Sequence, residues 1–356
     1  MTVTGWEGWA DRWSESPTTA VTGPVIDVHS HLKVPGAAAL AMEHFSPELD
    51  PRSLYSTDQT NALNRAYHEC VHDRFTEPAT RIEDMEIMGV DVQAIALAPP
   101  HYFYWLDRAT ATQITSMQND AIAEIVASHP QRFWGVGTLP MAHPADAVKE
   151  AERLRNELDI RAIEIGTDVV GVDLDDPKFD PVWEVLAELR IVVILHPAGF
   201  TEGRRLSDYY LVNVIGLPLS STLAVTRLIL GGVFERHPGL RMLVVHGGGY
   251  LPFYSARTDH AFRHRPEMRQ HIDRLPSEYL SNLWFDSTVF SPALLGLLVE
   301  QYGADRVLLG TDYPFDMGQG NPIDFIAAAG LTDDQRAQVL GRNAEELFGL
   351  TAIRPG

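Results

Sequence analysis

The sequence predicts an α/β chain folded as one (β/α)8 barrel, and three observations carry that prediction. Eight short runs rich in Val, Ile and Leu recur along the 356 residues. Stretches with helical spacing separate them, and no internal repeat or low-complexity linker divides the chain. Nearly continuous apolar strands are expected where a parallel sheet is covered outside and packed within. Eight strand–helix units fit a closed barrel better than a doubly wound sheet.

The elements follow in order. Residues 1–24 read as an N-terminal arm with Trp6, Trp9 and Trp13 on one helical face, suited to docking on the barrel or on a second subunit. The first strand is expected at 25–32. Residues 33–78 are too long for an ordinary βα loop, and a lid-like insertion there would stand at the catalytic face of a barrel. Strands two to four are expected at 92–98, 133–139 and 160–166. Asp176-Pro177 then offers an N-cap with proline at the first helical position. The fifth strand, 191–196, precedes a second insertion, 201–220, and a helix at 223–234. The last three strands are expected at 240–246, 283–288 and 307–311. A closing helix over 334–348 is capped by Thr332 or Asp333. The barrel domain is therefore expected to span 25–350.

Composition narrows the partners. There are 48 acidic and 28 basic residues, a formal net charge of -20, so no basic face for nucleic acid is expected. One cysteine, Cys70, excludes an intrachain disulfide and thiolate metal clusters. The segment from Met1 to Ser16 has no signal-length apolar core, and no apolar run approaches the ~20 residues that span a bilayer. A cytoplasmic protein without a membrane partner is the expectation.

The residues that end the strands carry the chemistry. His29 and His31 are two apart, so on a strand they face the same way and can reach one metal ion. His196 ends the fifth strand, His246 begins Gly-rich His246-Gly247-Gly248-Gly249 after the sixth, and Asp312 ends the eighth. Each alone reads as easily as a structural residue. Their order, one polar terminus per expected strand, places them together at the C-terminal mouth where barrel enzymes keep their sites. The glycine run lacks the Lys-Ser/Thr of a phosphate loop and reads as a sharp turn or a close backbone approach.

With these residues in place, the chain resembles the amidohydrolase superfamily, within it the decarboxylase branch typified by 2-amino-3-carboxymuconate-6-semialdehyde decarboxylase. The likeness rests on Ile26-Asp27-Val28-His29-Ser30-His31, Arg81-Ile82-Glu83-Asp84-Met85, His246-Gly247-Gly248-Gly249, Phe285-Asp286-Ser287 and Leu309-Gly310-Thr311-Asp312-Tyr313-Pro314-Phe315, in order. It implies one divalent ion, zinc with manganese or another divalent metal as the alternative, held by His29, His31, His196 and Asp312. It implies His246 as the acid/base, with Asp312 counted among the catalytic residues as well as the ligands, and Arg257 as the ligand of a substrate carboxylate. Zinc lowers the pKa of bound water to ~7, and arginine's planar fork suits a carboxylate.

Three departures bear on substrate. Pro197-Ala198-Gly199-Phe200 stands where the family often has Pro-Trp-Asp. A second carboxylate-binding arginine could be Arg52, Arg65 or Arg74. Glu164, on the fourth strand, stands where parts of the superfamily bridge a second metal, but reads here as a neutral-site or surface residue. The expected activity is non-oxidative decarboxylation of an aromatic or muconate-type carboxylate by a homodimer. The alternatives are a hydrolase or hydratase of the same superfamily, and a non-catalytic metal-binding barrel.

Overall fold

The computed structural model describes residues 13–45, 55–200 and 203–352. Eight parallel strands form one sheet in sequential order: β1 (Ile26–Leu32), β2 (Val92–Leu97), β3 (Phe133–Gly137), β4 (Ala162–Ile165), β5 (Val192–Leu195), β6 (Arg241–Val244), β7 (Trp284–Asp286) and β8 (Val307–Leu308). A small hairpin, Asp168–Val169 with Val172–Asp173, interrupts the series after β4. Bonds from Val28 N to the Leu309 carbonyl and from His31 N to the Tyr313 carbonyl, 2.9 and 2.7 Å, bring the last strand back to the first. The result is a (β/α)8 barrel, with every barrel strand within the stretch the sequence predicts.

Alternation along the strands divides the core. Val92, Ala94, Ala96, Val192 and Ile194 belong to an inner cluster, which the closing helix seals with Leu347 and Phe348. Ile95, Leu97, Val193 and Leu195 belong to the outer cluster packed beneath the helices. This two-sided burial accounts for the lack of polar alternation in the strands.

Prolines open the helices. Pro78, Pro144, Pro276, Pro292 and Pro322 all occupy first-turn positions, where a missing N–H costs nothing and φ is already set. Thr332, rather than Asp333, caps the closing helix, in a reciprocal box with Gln335. That helix passes through a π turn, Gln338–Arg342, within which the Val339 carbonyl accepts from Leu309 N at 2.8 Å. The helix expected at 223–234 starts earlier, at Leu217, and stops at Leu230. Gly232 turns there with φ 73° against the His271 carbonyl, before the short helix Val233–Arg236.

One expectation from the sequence changes. The continuous helical stretch Val212–Leu230, 19 residues of mean hydropathy 1.4, is long and apolar enough to cross a bilayer by length and composition, so one run does reach that length. Its Ala224, Val225, Leu228 and Ile229 are buried in this fold. The region 33–78 is substantially helical among its described residues, with Pro35–Met42, Asp58–Cys70 and His72–Thr76. Trp13 is fully buried edge-on against Tyr313, 4.9 Å between ring centroids, so this part of the arm packs on its own barrel. Trp6 and Trp9 lie outside the described residues.

Candidate active site

Simple alternation would oppose His29 and His31 to Ile26 and Val28, which belong to the inner cluster. A register shift against β2 between Asp27 and Ser30 removes the conflict, and both imidazoles join the inward set. His196 follows β5 in the inward parity of Val192 and Ile194. Asp312 arrives from β8 with left-handed backbone, φ 59°. The three imidazoles stand 4.9–5.0 Å apart between centroids, and one ligand atom from each of the four residues lies within 4.8 Å of the others.

The hydrogen bonds on the far side of each ring define what faces the centre. His29 Nδ1 donates to Asp286 Oδ2 at 2.6 Å, His31 Nδ1 to the Leu97 carbonyl at 3.1 Å, and His196 Nδ1 to the Pro197 carbonyl at 2.9 Å. These acceptors need a proton on Nδ1, so in each neutral ring Nε2 carries a lone pair. The three Nε2 atoms and Asp312 Oδ1 are buried, and none completes a hydrogen bond. His29 Nε2 and His31 Nε2 nevertheless approach Asp312 Oδ1 to 3.4 and 3.1 Å.

Burial and the neighbouring imidazoles hold His196 well below the usual histidine range, and burial outweighs Asp312 and Asp286 to lower His29. For His31, Glu164 and Asp312 overcome burial and raise it. Burial would raise Asp312, but His29, His246 and His31 hold it well below the carboxylate range. Lone pairs and a carboxylate converging without protons call for a cation. This donor set, three imidazoles and one carboxylate, fits a divalent metal.

The supporting network escaped a reading focused on strand ends. Asp286, at the end of β7, is wholly buried and takes bonds from His29, Gly247 N at 2.7 Å and Thr288 Oγ1 at 2.7 Å. A carboxylate behind a ligating histidine orients the ring and raises its basicity. Asp286→Asn is therefore expected to weaken metal affinity by about 10–100-fold, measured by titration with a competing chelator. Asp27 joins the barrel seam by accepting from Thr311 Oγ1 at 2.6 Å and from Gln93 Nε2 at 3.1 Å. Arg81 donates to the His31 carbonyl, Ser30 Oγ and Gln93 Oε1 at 2.5, 3.0 and 3.0 Å, holding the end of β1 in place. The only sequence signal was their presence in the segments that carried the resemblance.

His246 stands beside the four ligands, its ring 4.9 Å from His196 and its Nε2 3.7 Å from Asp312 Oδ2. Its left-handed backbone, φ 55°, turns it off the strand path. Gly247, Gly248 and Gly249 continue with positive φ. A Cβ on Gly247 would come within 2.2 Å of Val289, and one on Gly249 within 2.4 Å of the Pro218 carbonyl, so the run is a sharp turn that only glycine fits.

A cavity of about 490 Å³ opens above these groups. His196, His246 and Asp312 lie at its base, and Phe253, Val289, Phe290, Leu294 and Phe315 give it apolar walls. Tyr55, Ser56, Thr60, Asn64, Tyr67 and His68 line it from the region 33–78.

The remaining predicted residues separate. Glu164 is buried, not superficial: burial pushes its carboxyl up to about 7, Tyr102 donates to it at 2.8 Å, and it stands 3.7 Å from His31 Nδ1. It is not one of the four clustered ligands. Arg257 is exposed on helix Leu251–His264 and does not line the cavity of its own chain. Arg65 is exposed as well, Arg74 is engaged with Asp84 at 2.7 Å, and Arg52 lies outside the described residues.

Fold and site together define a metal-dependent (β/α)8 enzyme with a His/Asp ligand cluster and a histidine acid/base candidate beside it. The family model described as Amidohydrolase matches residues 26–350, and the chain belongs to that family. It is 35% identical over 276 residues to the 2-amino-3-carboxymuconate-6-semialdehyde decarboxylase of Dictyostelium discoideum, covering 77% of each chain. The solved 5-carboxyvanillate decarboxylase LigW from Sphingomonas paucimobilis is 27% identical with a TM-score of 0.82, over 93% of this chain and all of that one. A 5-carboxyvanillate decarboxylase from Novosphingobium aromaticivorans, complexed with manganese and 4-hydroxy-3-methoxy-5-nitrobenzoic acid, shares the fold at a TM-score of 0.83 and 21% identity, over 95% of this chain and 99% of that one.

Proposed function

We propose that this chain is a metal-dependent carboxy-lyase that removes carbon dioxide, without oxidation, from an aromatic or unsaturated carboxylate. The observation that carries the reading is one cavity with His196 and Asp312 of the four-ligand cluster at its base beside His246, beneath apolar and aromatic walls suited to a planar acid. His29, His31, His196 and Asp312 would hold a divalent ion, which would supply a Lewis acid there. His246, protonated, delivers its proton to the carbon that bears the carboxylate. An electron pair of the substrate's π system forms the new carbon–hydrogen bond; the carbon–carbon bond then breaks, its electron pair restores that π system, and carbon dioxide leaves. Asp312 faces both groups, Oδ1 toward the ligand cluster and Oδ2 toward His246 Nε2 at 3.7 Å. The donor set suits zinc, with manganese as the alternative, and metal analysis of the purified protein distinguishes them.

The active form is a homodimer. Val214, Ile215, Leu219, Leu223, Tyr250 and Tyr254 are exposed, and Tyr250 ties the two helical segments by donating to the Ile215 carbonyl at 3.4 Å. A patch of this kind suits a partner copy. Arg257 stands three residues beyond Tyr254 on one helix face. Since it does not line its own cavity, it would bind a carboxylate from the neighbouring subunit. The segment 33–78 acts as a cover over the cavity. The site of action is the cytoplasm, where the exposed Cys70 stays reduced.

Carbon dioxide release from a panel of aromatic and muconate-type acids tests the activity. A product that keeps its carboxylate would instead mean hydration or hydrolysis. In the same assay, Arg257→Ala copies mixed with His246→Asn copies should recover activity that neither has alone. No recovery would return Arg257 to the helix surface.

A further inference from the structure

The helix Asp58–Cys70 lies in the insertion after β1. Its Thr60, Asn64, Tyr67 and His68 follow helical spacing, and all four line the cavity. The neighbours of His68 locate it relative to the metal ligands. Phe315 lies 5.1 Å from the His31 ring and 6.1 Å from the His68 ring, between centroids, so one aromatic ring separates a ligand from His68. Behind His68, Lys33 Nζ stands 3.4 Å from Nδ1 and 4.1 Å from the centre of the Phe75 ring. An ammonium group donates and cannot accept, so Nδ1 is the accepting nitrogen and the proton of the neutral ring resides on Nε2. Among the described residues no lysine or arginine lines the cavity, and Lys33 reaches it through His68. On the same wall the Tyr210 hydroxyl donates to Asp316 at 3.5 Å, occupying that carboxylate.

We propose that His68, backed by Lys33, is a substrate-specificity residue that donates a hydrogen bond to a second oxygen substituent on the end of the substrate remote from the metal ligands. The favoured substrate is therefore a planar acid with a carboxylate, phenolate or carbonyl oxygen across the ring from the group that meets the metal. The proposal rests on the decarboxylase reading only in placing the reacting end at the metal ligands.

Two probes that differ by one carboxylate test it: 4-hydroxy-3-methoxy-5-nitrobenzoic acid and 2-methoxy-6-nitrophenol. Both offer the metal adjacent nitro and phenol oxygens, but only the first has a carboxylate opposite the phenol. With protein loaded with manganese, calorimetry should give the acid at least a tenfold preference, the size of one charge-assisted hydrogen bond. His68→Phe, which keeps the ring, and Lys33→Met, which keeps the stem, should each reduce that preference about tenfold at unchanged metal content. His68→Gln, which keeps a donor, should retain part of it. Equal binding of the two probes by the wild type, failure of both to bind, or a preference unchanged in both variants would overturn the subsite. Absence of carbon dioxide release from every acid, with the probe preference intact, would overturn the decarboxylase reading and leave the subsite standing.

Discussion

Replacing His246 with Asn should leave the metal in place and lower turnover by ~10²–10⁴-fold. The geometry sets both halves of this expectation. His29, His31, His196 and Asp312 form the ligand cluster without His246, so metal content should survive. His246 Nε2 stands 3.7 Å from Asp312 Oδ2, beside the cluster and within the cavity, where a substrate carbon would take its proton. Asparagine retains a polar group of similar reach but has no proton to exchange near neutral pH. Elemental analysis alongside turnover decides the matter. A variant without metal would make His246 a ligand, and one with full metal and unchanged turnover would remove it from the chemistry.

The His29→Ala/His31→Ala double variant should lose bound metal and fall to background activity. It deletes two of the three imidazoles that converge on Asp312, leaving His196 and one carboxylate, too few donors to hold the ion tightly. It also strands Asp286, a wholly buried carboxylate that loses its bond from His29, so some loss of stability is expected. His196→Ala, which leaves that bond intact, should lower metal content with a smaller stability change. Full occupancy in the double variant, measured per subunit by elemental analysis, would refute the ligand assignment.

The barrel and the polar ends of its strands were legible because both depend on short-range pattern, while the division of those ends into ligands and acid/base came from the family resemblance. Eight apolar runs lie at the eight strands, and three strand ends, those of β1, β5 and β8, supply the four clustered donors. The insertion was legible as a long interval, but not as the helix that presents Asn64 and His68, since a cavity wall is made with distant partners. Asp286 was hidden for a related reason. A lone aspartate at a strand end gives no sign that a histidine 257 positions earlier will donate to it. Arg257 illustrates the converse. The family resemblance implied a site residue there, and the helix leaves its side chain outside the cavity of its own chain.

By itself, the sequence determined the strand order and which polar residues end the strands, and its family resemblance implied which of them are ligands. Hydrophobic runs specify local structure, and a parallel barrel brings the ends of its strands to one mouth. Tertiary structure decided which way those ends face and what completes them. The register shift in β1 turns His29 and His31 inward, while the left-handed backbones at His246 and Asp312 bring side chains from separate strands to one centre. Asp286, Leu97 and Pro197 then set the protonation of each imidazole through hydrogen bonds. These effects depend on distances between remote segments, and only the closed chain establishes those distances.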